Sequence, residues 1–387
     1  MENNINIPVW PTADEREENA IIRVLHSGSW WRNGGSEVKQ FENEFAAYQN
    51  CKYGVSLANG TVAIEIALKA LGIKRGDEVI VPDFTFYSTV SAVLSVGAIP
   101  VLVDVSEDTF CIEPEKVENA ITDKTKAIIV VHIAGNIAEI DSLVDIAQKN
   151  NLYLIEDSSH AQGAEYNGKR AGSFGDVGTF SFQNAKLITS GEGGITICNS
   201  EELRQRMFLN TNCGREEGDT NYNHVLIGTN ARLSEIQGAV LRVELEKFDD
   251  QVQLREKNYK YLEKLLTEIK GIKMQKSDKH MTRHPHYMVM FYYDKKYFNN
   301  VSRDDFVAYL TKCGLPVNRA YKALHEIPFF ENLSKEEWRI DKSSDECRNS
   351  KMIADNVICI AHNVLLGDEE LMDYIADCIK NVKDEKG

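Results

Sequence analysis

Proline and glycine are sparse, with 8 and 25 in 387 residues, which excludes a collagen-like or low-complexity chain. Basic charge is short as well: 44 Lys plus Arg stand against 59 Asp plus Glu, a formal net charge of −15, and no dense Lys/Arg block occurs. Nucleic acid and anionic membrane are therefore poor partners. A phosphate-bearing ligand would have to be held by local devices, such as helix N-termini or single arginines, because the overall field repels it. Long apolar runs are missing. The longest, Ala127 to Ala134, is broken by His132, far below the ~20 residues that a membrane-spanning helix needs. The opening MENNINIPVWPTADEREE has neither a basic region nor an apolar stretch, so no secretory signal is expected there. Eight cysteines, at positions 51, 111, 198, 213, 313, 347, 359 and 378, form no CxxC pair and no His/Cys cluster at zinc spacing. The expectation is a reduced, cytoplasmic protein without metal, its thiols acting as small apolar core residues.

What is present is an ordinary globular mixture, 43% apolar and 27% charged, long enough for two or three folding units. From about residue 50 to 200, short β-rich runs alternate with helical periodicity, the pattern of strand, crossover helix and parallel strand. Strands are predicted at Tyr53 to Ala58, Glu78 to Val81, Pro100 to Asp104, Lys126 to His132, Tyr153 to Glu156, Val177 to Phe182 and Gly194 to Cys198. They are apolar on both faces, as when helices cover both sides of a sheet. A long amphipathic helix from about Glu235 to Ile269 then leads into a smaller α/β part, with strands near His286 to Tyr293 and a last helix near Asp368 to Val382. The division is placed at 1–245 and 246–387.

Three features carry chemistry. Lys186 lies between a β-like run and the glycine-rich turn Gly191-Glu-Gly-Gly194, flanked by hydroxyls and amides; such a lysine is either structural or catalytic. Asp157 ends an apolar strand, where open α/β sheets bind ligands, although an Asp there also caps turns. Asn59-Gly60-Thr61 sits between a strand and a helix start, either an anion cradle or an ordinary threonine N-cap. Together an anion cradle, a strand-end carboxylate and a sheltered lysine on one sheet meet the requirements of a pyridoxal phosphate site.

The blocks LANGTVAIEIAL, VPDFTFYSTVSAV, EDSSHAQGA, SFQNAKLITSGEGG and GTNARLSEIQGAV resemble, in order, those of the DegT/DnrJ/EryC1/StrS sugar aminotransferases. Within that family, Lys186-Leu-Ile-Thr and Gly28-Ser-Trp-Trp-Arg-Asn-Gly-Gly35 are most similar to the scyllo-inosose type cyclitol aminotransferases and the 3-amino-5-hydroxybenzoate synthases. The resemblance implies an α/β fold of type I, with a large domain built on a mostly parallel seven-stranded sheet and a smaller C-terminal α/β domain. It implies pyridoxal 5'-phosphate as cofactor and no metal. Lys186 matches the lysine that bonds to the cofactor's aldehyde and shuttles the proton. Asp157 matches the carboxylate that keeps the pyridine nitrogen protonated. His160 stands where relatives place a Gln or His near the phenolic oxygen, or is simply hydrogen-bonded under the cofactor; Phe86 matches the stacking aromatic, although an aromatic in a strand-to-helix segment is otherwise usually core; and Gly60, Thr61 and Ser181 match the phosphate cradle. Asn230 matches an asparagine that reaches the phosphate of a neighbouring subunit, which implies a homodimer with shared sites.

On the substrate side the resemblance offers Trp30, Trp31 and Arg32 at the entrance, with Arg32 equally readable as a cation–π staple, and Arg319 and Tyr321 from the segment LPVNRAY. The implied activity is amino transfer from glutamate or glutamine to a keto-sugar or keto-cyclitol, with ping-pong kinetics. An aromatising dehydratase of the aminohydroxybenzoate type and a catalytically silent regulator are the alternatives. Sugar 3-dehydratases are disfavoured because they carry histidine where this chain has Lys186. One departure stands out: in Ile360-Ala-His362-Asn363, relatives carry a Pro and a His in a slightly different arrangement.

Overall fold

A computed structural model describes residues 6–334, 336–340 and 347–382. After α1 (Glu15–Ser27) and α2 (Glu37–Tyr48) the chain alternates regularly. The order is β1 (Tyr53–Leu57), α3 (Gly60–Ala70), β2 (Glu78–Pro82), α4 (Ser88–Ser95), β3 (Ile99–Val103), α5 (Pro114–Ala120), β4 (Thr125–Val131), α6 (Ile140–Lys149) and β5 (Tyr153–Asp157). A two-residue hairpin pair, β6 (Glu165–Tyr166) and β7 (Lys169–Arg170), precedes β8 (Val177–Ser181), β9 (Gly194–Cys198) and α7 (Glu201–Thr211). The long α8 (Glu235–Thr267) starts at a reciprocal cap, in which Ser234 accepts from the Gln237 N–H and the Gln237 side chain accepts from the Ser234 N–H. The expected division at 245/246 falls inside this helix.

Beyond α8 come β10 (Ile272–Met274), β11 (Met281–Arg283), β12 (Met288–Tyr293), α9 (Arg303–Lys312), β13 (Val317–Arg319), β14 (Arg339–Ile340), α10 (Arg348–Asn356), β15 (Val357–Ala361) and α11 (Glu369–Lys380). The large sheet has the order β1-β9-β8-β5-β4-β2-β3-β14, and β10-β12-β15-β13 form a separate four-stranded sheet. In the large sheet β9 pairs antiparallel with β1 and β8, and the remaining pairs are parallel. The sheet thus has eight strands where seven were expected. The additional strand is β14, whose Arg339 and Ile340 pair with Val101 and Leu102 while the Arg339 guanidinium grips Glu78 at 2.8 Å. Two residues carry no periodic signal.

Strand side chains alternate between two cores, as a pleated sheet requires. Ile80, Val101, Val103, Ile128 and Val130 enter one, and Val79, Val81, Leu102, Ala127 and Ile129 enter the other. Helices supply the covering faces; in α6, for example, Ile140, Leu143, Ile146 and Ala147 are buried at helical spacing. Cys51 and Cys111 are buried, and burial pushes their thiols up to about 12. Among the described residues no helix is long and apolar enough to cross a membrane.

The same alternation separates two adjacent carboxylates on β5. Glu156 is fully buried and turns away from the ligand edge, where its oxygens accept the backbone N–H groups of Gly172, Phe174 and Gly175, each at 2.7 Å. His132 completes the set: its Nδ1 accepts from the Ala138 N–H, so Nε2–H donates to Glu156 at 3.0 Å. Four donors therefore converge on one carboxylate, which ties the loop after β7 to the strand that ends in Asp157. Glu156→Gln is expected to destabilise the fold by at least about 2 kcal/mol, because its amide turns donors against donors in a buried place. Urea unfolding checks this, with a midpoint unchanged from wild type as the contrary result.

Candidate active site

The carboxyl ends of β2, β4, β5 and β8 and the N-terminus of α3 enclose a cavity of about 750 Å³, lined by Gly60, Thr61, Phe86, Asp157, His160, Ser181, Lys186 and Tyr321 among others. It lies where an open parallel sheet is expected to bind its ligand. Eight residues singled out in the sequence thus share one cavity.

At the cradle end, Asn59 and not Thr61 caps α3, its side chain accepting the Val62 N–H at 2.9 Å. The threonine N-cap reading is thereby corrected: Thr61 is already helical, and its hydroxyl is 2.7 Å from that of Ser88. The backbone of Gly60 packs so closely on Ser181 that an added Cβ would lie 2.7 Å from the Ser181 Cβ. Free N–H groups at a helix N-terminus, the positive end of its dipole, and the hydroxyls of Thr61, Ser88 and Ser181 make an anion site without a resident cation.

Asp157 is buried with its two oxygens held apart by different donors: Oδ2 accepts the Thr89 hydroxyl at 3.0 Å and Oδ1 accepts the Ser159 N–H at 3.2 Å. The Ser159 N–H contact meets the turn-capping reading, and the side chain still lines the cavity. His160 is buried beside it and accepts the Ala134 N–H at Nδ1, 3.3 Å, which leaves Nε2 to carry the proton; its ring stacks on Tyr287 at 4.1 Å. Burial and the Lys186 charge hold its pKa well below the ordinary value, so the ring is a neutral donor.

Lys186 is placed by a tight turn, its N–H donating to Gln183 O at 2.8 Å. Its ammonium sits 4.7 Å from the centre of the Tyr287 ring. Exclusion from bulk water lowers its pKa to about 8, against the opposing pull of Asp157. Phe86 is half-exposed at the mouth, 5.8 Å from Tyr321, whose hydroxyl burial raises well above the usual range.

Other candidates lie elsewhere in the single chain. Arg32 Nη2 donates to both Glu42 oxygens, each at 2.7 Å, and the guanidinium lies 4.6 Å from the centre of the Phe208 ring, so it is spent on packing α2. Trp30 and Trp31 are exposed, the latter beside Arg232 at 5.8 Å; Asn230 is exposed too, and none of these lines the cavity. Arg319 lines a neighbouring cavity of about 520 Å³ that shares Tyr287 and Tyr321 with the first, and it pairs with Asp304 at 2.7 Å. Thr89, Ser88, Gln183 and Tyr287 were missed by sequence reasoning. Thr89 and Ser88 follow the predicted strand-to-helix turn and were findable there; Tyr287 arrives from beyond α8 with no local signal.

The donor set suits pyridoxal phosphate: a neutral cradle for a phosphate, a donor-stabilised carboxylate for a ring N–H, and a desolvated amine between them. Comparison with known proteins agrees. Residues 11–380 match the model of the DegT/DnrJ/EryC1/StrS aminotransferase family. The 3-amino-5-hydroxybenzoate synthase of Amycolatopsis mediterranei is 38% identical over 96% of both chains. The L-glutamine:2-deoxy-scyllo-inosose aminotransferase of Streptoalloteichus tenebrarius is 36% identical over 97% of this chain and 94% of its own. A crystal structure of 3-amino-5-hydroxybenzoic acid synthase superposes with a TM-score of 0.92 at 37% identity, covering 97% of this chain and 98% of that one. The chain belongs to the DegT/DnrJ/EryC1/StrS aminotransferase family and is a pyridoxal phosphate-dependent aminotransferase of fold type I.

Two outcomes test the site. Gly60→Ala should weaken cofactor binding at least about tenfold, about 1.4 kcal/mol, because the new methyl pushes Ser181 out of the cradle; fluorescence titration of the apoprotein measures it. If Lys186 bonds to the cofactor, its neutral amine is the nucleophile, and a pKa lowered to about 8 supplies it at lower pH than an ordinary lysine. Cofactor uptake by the apoprotein should therefore accelerate with rising pH with a midpoint near pH 8; stopped-flow absorbance would show a midpoint near pH 10 if Lys186 were not desolvated.

Proposed function

We propose that this enzyme moves an amino group from glutamate or glutamine to the ketone of a cyclitol or sugar in two successive half-reactions. The observation that carries the reading is the single cavity in which Lys186, Asp157 and the Gly60–Thr61–Ser181 cradle face one another. The relatives named for scyllo-inosose substrates, similar over nearly the whole chain, support the cyclitol as acceptor and glutamine as donor.

When bound, pyridoxal phosphate supplies an electron-withdrawing ring beside the carbon that loses its proton. The protein's part is positioning and proton transfer. The α3 N-terminus with Thr61, Ser88 and Ser181 anchors the phosphate. Asp157, its geometry fixed by Thr89 and the Ser159 N–H, holds a proton on the ring nitrogen. Lys186 Nζ would take the proton from the donor's Cα and deliver it, within the same half-reaction, to the cofactor carbon that keeps the amino group, then run the reverse transfer onto the acceptor's carbon in the second; a pKa near 8 lets one amine serve as base and, once protonated, as acid. His160 offers an Nε2–H donor toward the cavity, and Phe86 closes one side as an aromatic face. Arg319 and Tyr321, at the junction with the adjoining cavity, are assigned to substrate recognition.

The active unit is proposed to be a homodimer. The segment that carries Asn230 also exposes Tyr222, Val225 and Ile227, the last completely, and such apolar side chains suit burial against a second copy. In that arrangement Asn230 reaches the partner's cradle and the exposed Trp31 borders the partner's substrate entrance, while Arg32 stays paired with Glu42 inside its own subunit. Similarity to 3-amino-5-hydroxybenzoate synthase supports a second reading, an aromatising dehydration on the same residues. An aromatic chromophore in the product distinguishes it from simple transamination.

Lys186→Ala is expected to abolish turnover while retaining cofactor through the cradle, with 2-oxo acid release from glutamate or glutamine as the assay. Asp157→Asn should lose at least ~10²-fold in kcat, about 2.7 kcal/mol at 1.36 per decade. A near wild-type rate in either variant refutes the residue's role.

A further inference from the structure

His362 follows β15, does not line the main cavity, and yet touches the loop that carries Lys186. Its ring is buried, with Nε2 3.2 Å from the carbonyl oxygen of Ala185, the residue just before Lys186. On the other side Nδ1 is 3.4 Å from Arg255 Nη2. A guanidinium only donates, so Nδ1 is the acceptor and the ring proton resides on Nε2, which donates to Ala185. The ring plane is fixed as well: Trp10 meets it edge-on at 4.7 Å and Tyr287 stacks at 5.8 Å. Tyr287 is the ring over which the Lys186 ammonium sits.

Arg255 makes this arrangement costly, and that cost needs an explanation. It is fully buried, its Nε and Nη1 have no hydrogen-bond partner among the described residues, and its contacts are Gln251 at 3.2 Å, His362, and the face of Trp10 at 5.4 Å. No carboxylate offsets it within ion-pair distance among the described residues, and burial lowers its pKa to about 9, leaving it charged near neutrality. An apolar side chain of similar volume would be cheaper in such a place. What the arginine does accomplish is to dictate the tautomer of His362.

We propose that His362 is a positioning residue for amino transfer: held in one tautomer by Arg255, it fixes the peptide before Lys186 and thereby the reach of the Lys186 amine. The inference rests on Lys186 carrying the cofactor and moving the proton. It explains why the chain spends a buried cation and a histidine at the segment that departs from the usual Pro and His arrangement. The contact is made to backbone, so it constrains the loop whatever substrate is bound.

The test compares the holoenzyme with His362→Phe, which keeps a flat ring between Trp10 and Tyr287 but cannot donate, and with His362→Gln, whose amide can. Borohydride reduction and peptide mass mapping first locate the cofactor in wild type; a label absent from Lys186 would overturn both this inference and the functional reading. In H362F, kcat should fall about tenfold, the KM for the amino donor should stay within about twofold, and the visible circular dichroism of the bound cofactor should weaken. H362Q should restore most of both signals. Wild-type kcat and dichroism in H362F, or no recovery in H362Q, would overturn this inference alone. Should H362F fail to fold, His362→Asn replaces it: its shorter amide cannot reach Ala185, and equal kcat for H362N and H362Q would count against the proposal.

Discussion

An amine kept nearly dry opposite a carboxylate is the constraint around which this molecule is arranged. Full solvation would leave Lys186 protonated near neutrality, whereas burial lowers its pKa and the Asp157 charge raises it. The balance near 8 comes from two opposed effects, exclusion from solvent and the attraction of Asp157. Both depend on the parallel sheet. Its strand ends deliver the carboxylate and the lysine turn to one edge, and two hydrophobic cores hold those ends still. The pair Glu156 and Asp157 shows how the pleat allocates chemistry: one carboxylate is consumed by four donors of the scaffold, and its neighbour is left for the ligand.

The residues after α8 close that edge: Met290, Ile353 and Val357 enter one sheet core, Leu324 and Phe330 the other, and ion pairs and charged hydrogen bonds pin them further. His325 Nδ1 meets Asp83 at 2.6 Å, with a second contact from the His325 N–H at 2.9 Å, and the carboxylate raises the histidine's pKa. Asp104 accepts the Ser350 hydroxyl and N–H, both at 2.8 Å, and the Asn349 N–H at 2.9 Å. Asp83, His325 and Cys347 bring potential ligand atoms within 4.8 Å of one another. The carboxylate and the imidazole already satisfy each other there, so the cluster is a latch between sheet and C-terminal segment. Its position next to Phe84, Thr85 and Phe86 couples that latch to the cavity mouth.

The legible part of the site is the part whose signal is local. Asp157 and Ser181 end strands, Gly60 opens the helix after β1 and Lys186 lies in the turn after β8; parallel strands in one sheet end at one edge, so their convergence follows from pattern alone. Asn59 took the capping role that Thr61 was offered because a side chain one residue outside the helix reaches the Val62 N–H, a choice that spacing does not reveal. Arg32 looked available beside two tryptophans, but its partner Glu42 lies on the far side of a turn, at the inner face of α2. Tyr287 and Arg255 were invisible for a different reason: their roles exist only after the chain has passed through the long α8 and returned. β14 escaped because a two-residue edge strand is specified by its partner, Val101 and Leu102, and by the Arg339–Glu78 ion pair rather than by its own periodicity.

The strongly acidic composition raises the question of how such a chain holds a phosphate. Among the described residues lining the main cavity the only Lys or Arg is Lys186, and it is needed for another task. The cradle therefore relies on backbone N–H groups, three hydroxyls and a helix end worth about half an elementary charge. At physiological ionic strength the charge of −15 is screened over about 8 Å, whereas dipoles in direct contact with the ligand are not. Neutral donors carry a further advantage over a cation in this position. A lysine or arginine beside the phosphate would add a positive field that depresses the Lys186 pKa below its present value and competes for Asp157. A cradle built of dipoles would leave the cavity's lysine under the influence of Asp157, whose charge opposes the effect of burial.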